Sequence, residues 1–127
     1  MSMNQGNSKI CEGGNTLIFP CSGAADVGEI SDLAGRELTR KGLGSMFCLA
    51  GIGGNIPTII TKAKDAKNLL VIDGCPLDCA RKTLEEKDIE DFCHFRVTDQ
   101  GMEKSKSPAT EERVTKIVTK AEELFNI

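Results

Sequence analysis

Six cysteines in 127 residues are the side chains of this chain best suited to chemistry. Cys75 and Cys79 share the segment Asp-Gly-Cys-Pro-Leu-Asp-Cys, just after the apolar run Leu69 to Ile72. Cys21 lies in Pro-Cys-Ser-Gly, after Leu17-Ile18-Phe19, and Cys48 lies in Met-Phe-Cys-Leu-Ala-Gly. Thiolates are soft ligands for metals and are also nucleophiles. Four of them suffice for one tetrahedral zinc ion, and they would equally suit an iron–sulfur cluster. The spacing matches no common zinc finger, because only Cys75 and Cys79 are close in sequence. A metal held by all four would tie separate strand ends together.

Whether the sulfurs can meet depends on the elements that carry them. Thr16 to Pro20, Ser45 to Ala50, Asn68 to Asp73 and Phe92 to Thr98 read as strands. Ala25 to Lys41 reads as a helix ended by Gly42, and Ile56, Ile59, Ile60 and Ala63 mark a second, opened around Asn55 and Pro57. Pro76 to Lys87 reads as a third. Ser107-Pro108 opens a last one, with Val114, Ile117, Val118, Ala121, Leu124 and Phe125 at helical spacing. Strands alternating with helices argue for an α/β fold with a parallel sheet and helices on both faces. A single three-layer domain over residues 15–127 is expected, Rossmann- or flavodoxin-like, with strand order 2-1-3-4. Residues 1–14 read as a flexible leader. Right-handed crossovers put every strand-to-helix loop at the carboxyl edge of the sheet, where such folds bind their ligands. Cys21, Cys48, Cys75 and Cys79 all fall there.

The expected helix start at Pro76 puts Cys75 at the N-cap and Cys79 one turn further on the same face. Cys21 precedes the first helix in the same way. Helix N-termini lower a thiol pKa, so thiolates are expected. Ser22 and Asp73 are candidates to hydrogen-bond the ligand cysteines, and Asp99 follows the fourth strand at the same edge. Arg81 and Lys82 could offset thiolate charge, and Asp78, with Asp73 and Asp99 a candidate supporting or catalytic carboxylate, also suits a first helical turn. Cys11 lies in the leader as a reserve ligand at most. Cys93 begins the fourth strand, away from the carboxyl edge, and is expected to pack as a small hydrophobe. His94, the one histidine, is mid-strand and is set aside as a ligand.

Two further motifs carry less. Gly51-Ile52-Gly53-Gly54 lacks the full dinucleotide fingerprint. The segment from Cys21 to Gly28 is similar to the phosphate loop of cysteine-dependent phosphatases, but Val27 stands where those loops need an arginine.

Composition narrows the classes. Hydrophobic residues make up 39% and charged residues 28%, which suits a soluble globular protein. A net charge of −3, five Phe and neither Trp nor Tyr argue against nucleic acid as a partner. No segment approaches the roughly 20 apolar residues of a membrane span. The polar N-terminus has no secretory h-region, so the cytoplasm is the expected compartment, where cysteines stay reduced.

The motifs together resemble the DGC-domain family, small bacterial and archaeal proteins described as zinc-binding. The resemblance rests on Asp73-Gly74-Cys75 within Ile-Asp-Gly-Cys-Pro-Leu-Asp-Cys-Ala, on Cys21-Ser22-Gly23-Ala24, and on Cys48 to Gly53. It also rests on Thr98-Asp99-Gln100-Gly101 followed by Lys106-Ser107-Pro108. It covers most of residues 15–127. It implies zinc bound through Cys21, Cys48, Cys75 and Cys79, and it supplies no reaction. The leading expectation is a zinc-binding protein with four cysteine ligands, or three and a water. A cysteine-dependent thiol, redox or sulfur-transfer enzyme, with Cys75 or Cys21 as nucleophile, is one alternative. An iron–sulfur protein is the other.

Overall fold

A computed structural model describes residues 16–124 of the chain. The leader, Cys11 and Phe125 lie outside the described residues. Four strands form one sheet: β1 (Thr16–Pro20), β2 (Ser45–Met46), β3 (Asn68–Asp73) and β4 (Cys93–Arg96). All pairs are parallel, as the alternating pattern predicts, and the order is β2-β1-β3-β4, the flavodoxin-like order expected. The helices are α1 (Asp26–Arg40), α2 (Leu49–Gly53), α3 (Pro57–Asp65), α4 (Cys79–Glu85) and α5 (Glu111–Leu124). A short 3-10 turn, Val97–Gln100, follows β4.

Both sheet faces are covered, which is why β3 is buried along its whole length. Successive side chains of a strand point to opposite faces. Ile18, Leu70, Ile72 and Phe95 therefore pack with Val27, Ile30 and Leu38 of α1 and with Ile117 and Ala121 of α5. Phe19, Leu69 and Val71 point the other way, against Ile52 of α2, Ala63 of α3, and Ala80 and Leu84 of α4. Two aliphatic cores with a sheet between them make three layers. Cys93 packs into the first core, 5% exposed.

Three elements depart from the sequence reading, each for a local reason. The second strand, expected over Ser45 to Ala50, ends at Met46. Phe47 adds one hydrogen bond, to the Ile18 carbonyl at 2.9 Å, and Cys48 then caps the unanticipated helix α2. The glycine-rich stretch after Cys48 is thus helical, and a Cβ on Gly51 would collide with the Ile59 side chain. Helix α4 starts at Cys79 rather than Pro76, so Cys75 is not its N-cap. Residues Cys75 to Asp78 instead form a turn closed by the Asp78 N–H on the Cys75 carbonyl at 3.0 Å. Asp78 leaves that turn with φ of 54°, in the left-handed region that asparagine and aspartate tolerate. Helix α5 starts at Glu111 because Ser107 belongs to the preceding loop, and Thr110 Oγ1 accepts the Arg113 N–H at 3.2 Å.

Candidate metal centre

The four cysteines proposed as ligands follow the ends of three adjacent parallel strands. Cys21 directly follows β1, Cys48 lies two residues past β2, and Cys75 and Cys79 follow β3. Cys21 and Cys75 are half-buried, while Cys48 and Cys79 are exposed. Cys21 is held firmly at its backbone. Its N–H donates to the Ile72 carbonyl at 2.8 Å. The buried Ser31 hydroxyl lies 2.6 Å from its carbonyl and 3.1 Å from that of Ile72, pinning the end of β1 to the end of β3.

The Cys21 sulfur accepts hydrogen bonds from the backbone N–H groups of Gly23 and Gly74. These favour the thiolate, but burial outweighs them, and the charges of Asp73 and Cys79 add to it. The thiol pKa is therefore raised, against the lowering expected from its place before α1. The surroundings are tightly built. A Cβ at Gly28 would come within 2.8 Å of the Gly23 carbonyl oxygen, and one at Gly74 within 3.0 Å of the Gly28 nitrogen. The start of α1 thus packs backbone to backbone against both loops that surround Cys21.

Asp73 holds the other side. Its side chain is the true cap of α4, reached from the end of β3. It accepts the Ala80 N–H at 2.7 Å and the Arg81 N–H at 3.1 Å, which fixes the helix turn that begins with Cys79. His94 Nε2 lies 2.9 Å from the same carboxylate. Asp78, only 2% exposed, sits between Arg96, at 2.7 Å from each carboxylate oxygen, and Arg81 at 2.7 Å. Arg96 foremost, with Arg81 and His94, holds the Asp78 carboxyl well below the usual carboxylate range. Arg81 is therefore committed to Asp78 and Glu85 rather than to thiolates.

Among the described residues, one group of three or more potential metal-ligand atoms lies mutually within 4.8 Å, and it is Asp73, Asp78 and His94. Arginines and backbone N–H groups already fill its lone pairs, so it is an ionic clamp on the loop between β3 and α4. No three of the four sulfurs stand that close together. The sequence reading set His94 aside and saw in Asp78 a supporting or catalytic carboxylate or a helix-end acid, not the centre of an ion-pair network. The signal available was period-two alternation, which puts His94 and Arg96 on the α4 face of β4, Arg96 opposite Asp73 and His94 diagonal to it. The other expected partners are less engaged. Ser22 donates to Asp32 at 2.7 Å, and Asp99 is exposed and touches Arg96 at 3.4 Å.

The residues fit a soft metal ion in donor type and in support. Sulfur donors share one edge, backbone N–H groups point at one of them, and a capped helix fixes another. This is a small α/β protein with a thiol-bearing carboxyl edge. Residues 17–121 match the DGC domain, and the chain belongs to the DGC-domain family. It is 31% identical over 88 residues to the "Anaerobic and virulence modulator AnvM" of Pseudomonas aeruginosa, covering 69% of this chain and 67% of that protein. No solved structure matches. Among the described residues, no helix is long and apolar enough to cross a membrane.

Proposed function

We propose that the chain binds zinc through Cys21, Cys48, Cys75 and Cys79, and that the carboxyl edge of the sheet exists to hold that ion. The observation that carries this reading is the Cys21 sulfur. It is half-buried between two inward-pointing backbone N–H groups, beside Cys79, at the junction of the β1 and β3 loops. Backbone N–H bonds to a sulfur orient a metal ligand and share its negative charge. Zinc bound there would neutralise the Cys21 thiolate, which burial otherwise disfavours.

Zinc–sulfur bonds of about 2.3 Å in a tetrahedron require sulfurs roughly 3.8 Å apart. Cys21 packs against the core on one face of the sheet and Cys75 against the core on the other, while Cys48 and Cys79 lie on exposed segments, so all four sulfurs must draw together as the ion binds. Four sulfurs leave no open position for a substrate, so the reading is a structural, sensory or metal-carrying role rather than catalysis. A reducing compartment such as the cytoplasm suits it, since it keeps the thiols available.

Metal analysis of the protein and of a Cys75→Ser/Cys79→Ser variant, both purified without added metal, tests the reading. About one zinc per chain is expected in the parent and a loss of most of it in the variant. Equal zinc in both would overturn the reading.

A further inference from the structure

Thr98 carries the one buried side-chain hydroxyl without a hydrogen-bond partner among the described residues. It stands at the junction that carries the proposed ligands. Its N–H donates to the Gly74 carbonyl at 3.2 Å, and the Gly74 N–H in turn points at the Cys21 sulfur. Gly74 is thus held at both its carbonyl and its N–H, by Thr98 at one and Cys21 at the other. The next residue is Cys75. Cys75 packs against the core cluster that contains Val97, the chain neighbour of Thr98, and Met102. A buried hydroxyl left unpaired costs free energy, and folded proteins rarely keep one without a use.

We propose that Thr98 is a positioning residue of the metal centre, whose hydroxyl donates a hydrogen bond to the Cys75 sulfur once that sulfur ligates a cation. The inference rests on the zinc reading above. A neutral thiol is a weak acceptor and leaves the hydroxyl idle. A metal-bound thiolate keeps much of its charge and accepts strongly, as charge-assisted hydrogen bonds do. The donor then fixes the direction of the sulfur lone pairs and tunes the bond to the metal, the part that outer hydrogen bonds play around metal ligands.

The test compares Thr98→Val, which keeps the shape and removes the donor, with Thr98→Ser, which keeps the donor. Zinc affinity is measured by competition with a chromophoric chelator. The sulfur-to-cobalt charge-transfer bands are recorded after cobalt(II) substitution, and thermal unfolding is measured without metal. Thr98→Val is expected to lose about tenfold in zinc affinity and to shift the cobalt bands, while unfolding without metal at or above the parent temperature. Thr98→Ser is expected to keep affinity and spectrum. If Thr98→Val does not fold, Thr98→Ala takes its place beside Thr98→Ser with the same expectation for zinc and cobalt. Parent-like affinity and spectrum in the donor-free variant, with the parent still binding zinc, would overturn the role of Thr98 and leave the zinc reading standing. A parent protein that takes up neither zinc nor cobalt would overturn both.

Discussion

Asp73 and Asp78 flank one short loop, yet they work differently. Asp73 looks inward and caps α4 with two backbone N–H bonds. Asp78 looks sideways and closes an ion-pair network with Arg81 and Arg96. Both are buried, and buried carboxylates persist where their lone pairs are met. Replacing Asp78 by Ala leaves two guanidinium groups facing each other without their anion. A loss of about 3 kcal/mol in unfolding free energy is expected, at the low end for a broken buried pair because each arginine is 32% exposed. Urea denaturation checks it, and a loss within error of zero would mean solvent already screens the network. The placement of thiols at this edge was legible in the sequence, because Cys21 and Cys75 each follow an apolar run that reads as a strand. The partners were not. His94 belongs to a strand, and a reading that looks for ligand chemistry on loops misses a side chain reaching diagonally from an edge strand.

At the scale of elements, β1 and β3 were legible to the residue. Unbroken apolar runs bounded by polar or turn-forming residues have no competing interpretation in a parallel sheet. Helix starts were less so, since side chains distant in sequence set them. Asp73 caps α4 from β3, and Asp26 organises a loop some 80 residues away. The Asp26 carboxylate accepts the Val27 N–H at 2.7 Å, Ser105 N–H at 2.9 Å and Ser107 N–H at 3.0 Å. This clasp displaces Ser107-Pro108 from the helix they were expected to open. The Ser105 N–H bond foremost lowers the Asp26 pKa below its ordinary 3.8. A depressed carboxyl pKa stabilises the folded state above its unfolded value, and the contribution fades as pH falls through the folded value. The clasp should thus be fully formed above about pH 4 and weaken in more acidic solution. Amide hydrogen exchange at Ser105 and Ser107, corrected for intrinsic rates, should show protection falling below that pH, and Asp26→Asn should remove most of the dependence. Pronounced protection of both amides in Asp26→Asn would show that other contacts hold the loop.

The whole molecule is organised so that one rim collects what three loops carry. The parallel sheet with its loops along one edge followed from regular alternation of strand and helix, because parallel strands need crossovers and crossovers return each loop to the same side. What alternation cannot express is how far apart the loop tips stand, which depends on backbone packing such as that of Gly28 on Gly23 and Gly74. In the structure the sulfurs share an edge without closing on one point, so ion binding and ordering of the rim should be one event. Anything that binds only the folded form raises its stability by mass action. The most direct measurement counts zinc per chain together with the thiols that react in the native protein, before and after a strong chelator. The account predicts about one zinc, with about four of the six cysteines unreactive until the chelator removes it. A native protein that holds no zinc, with thiol reactivity unchanged by chelator and by added zinc, would contradict it.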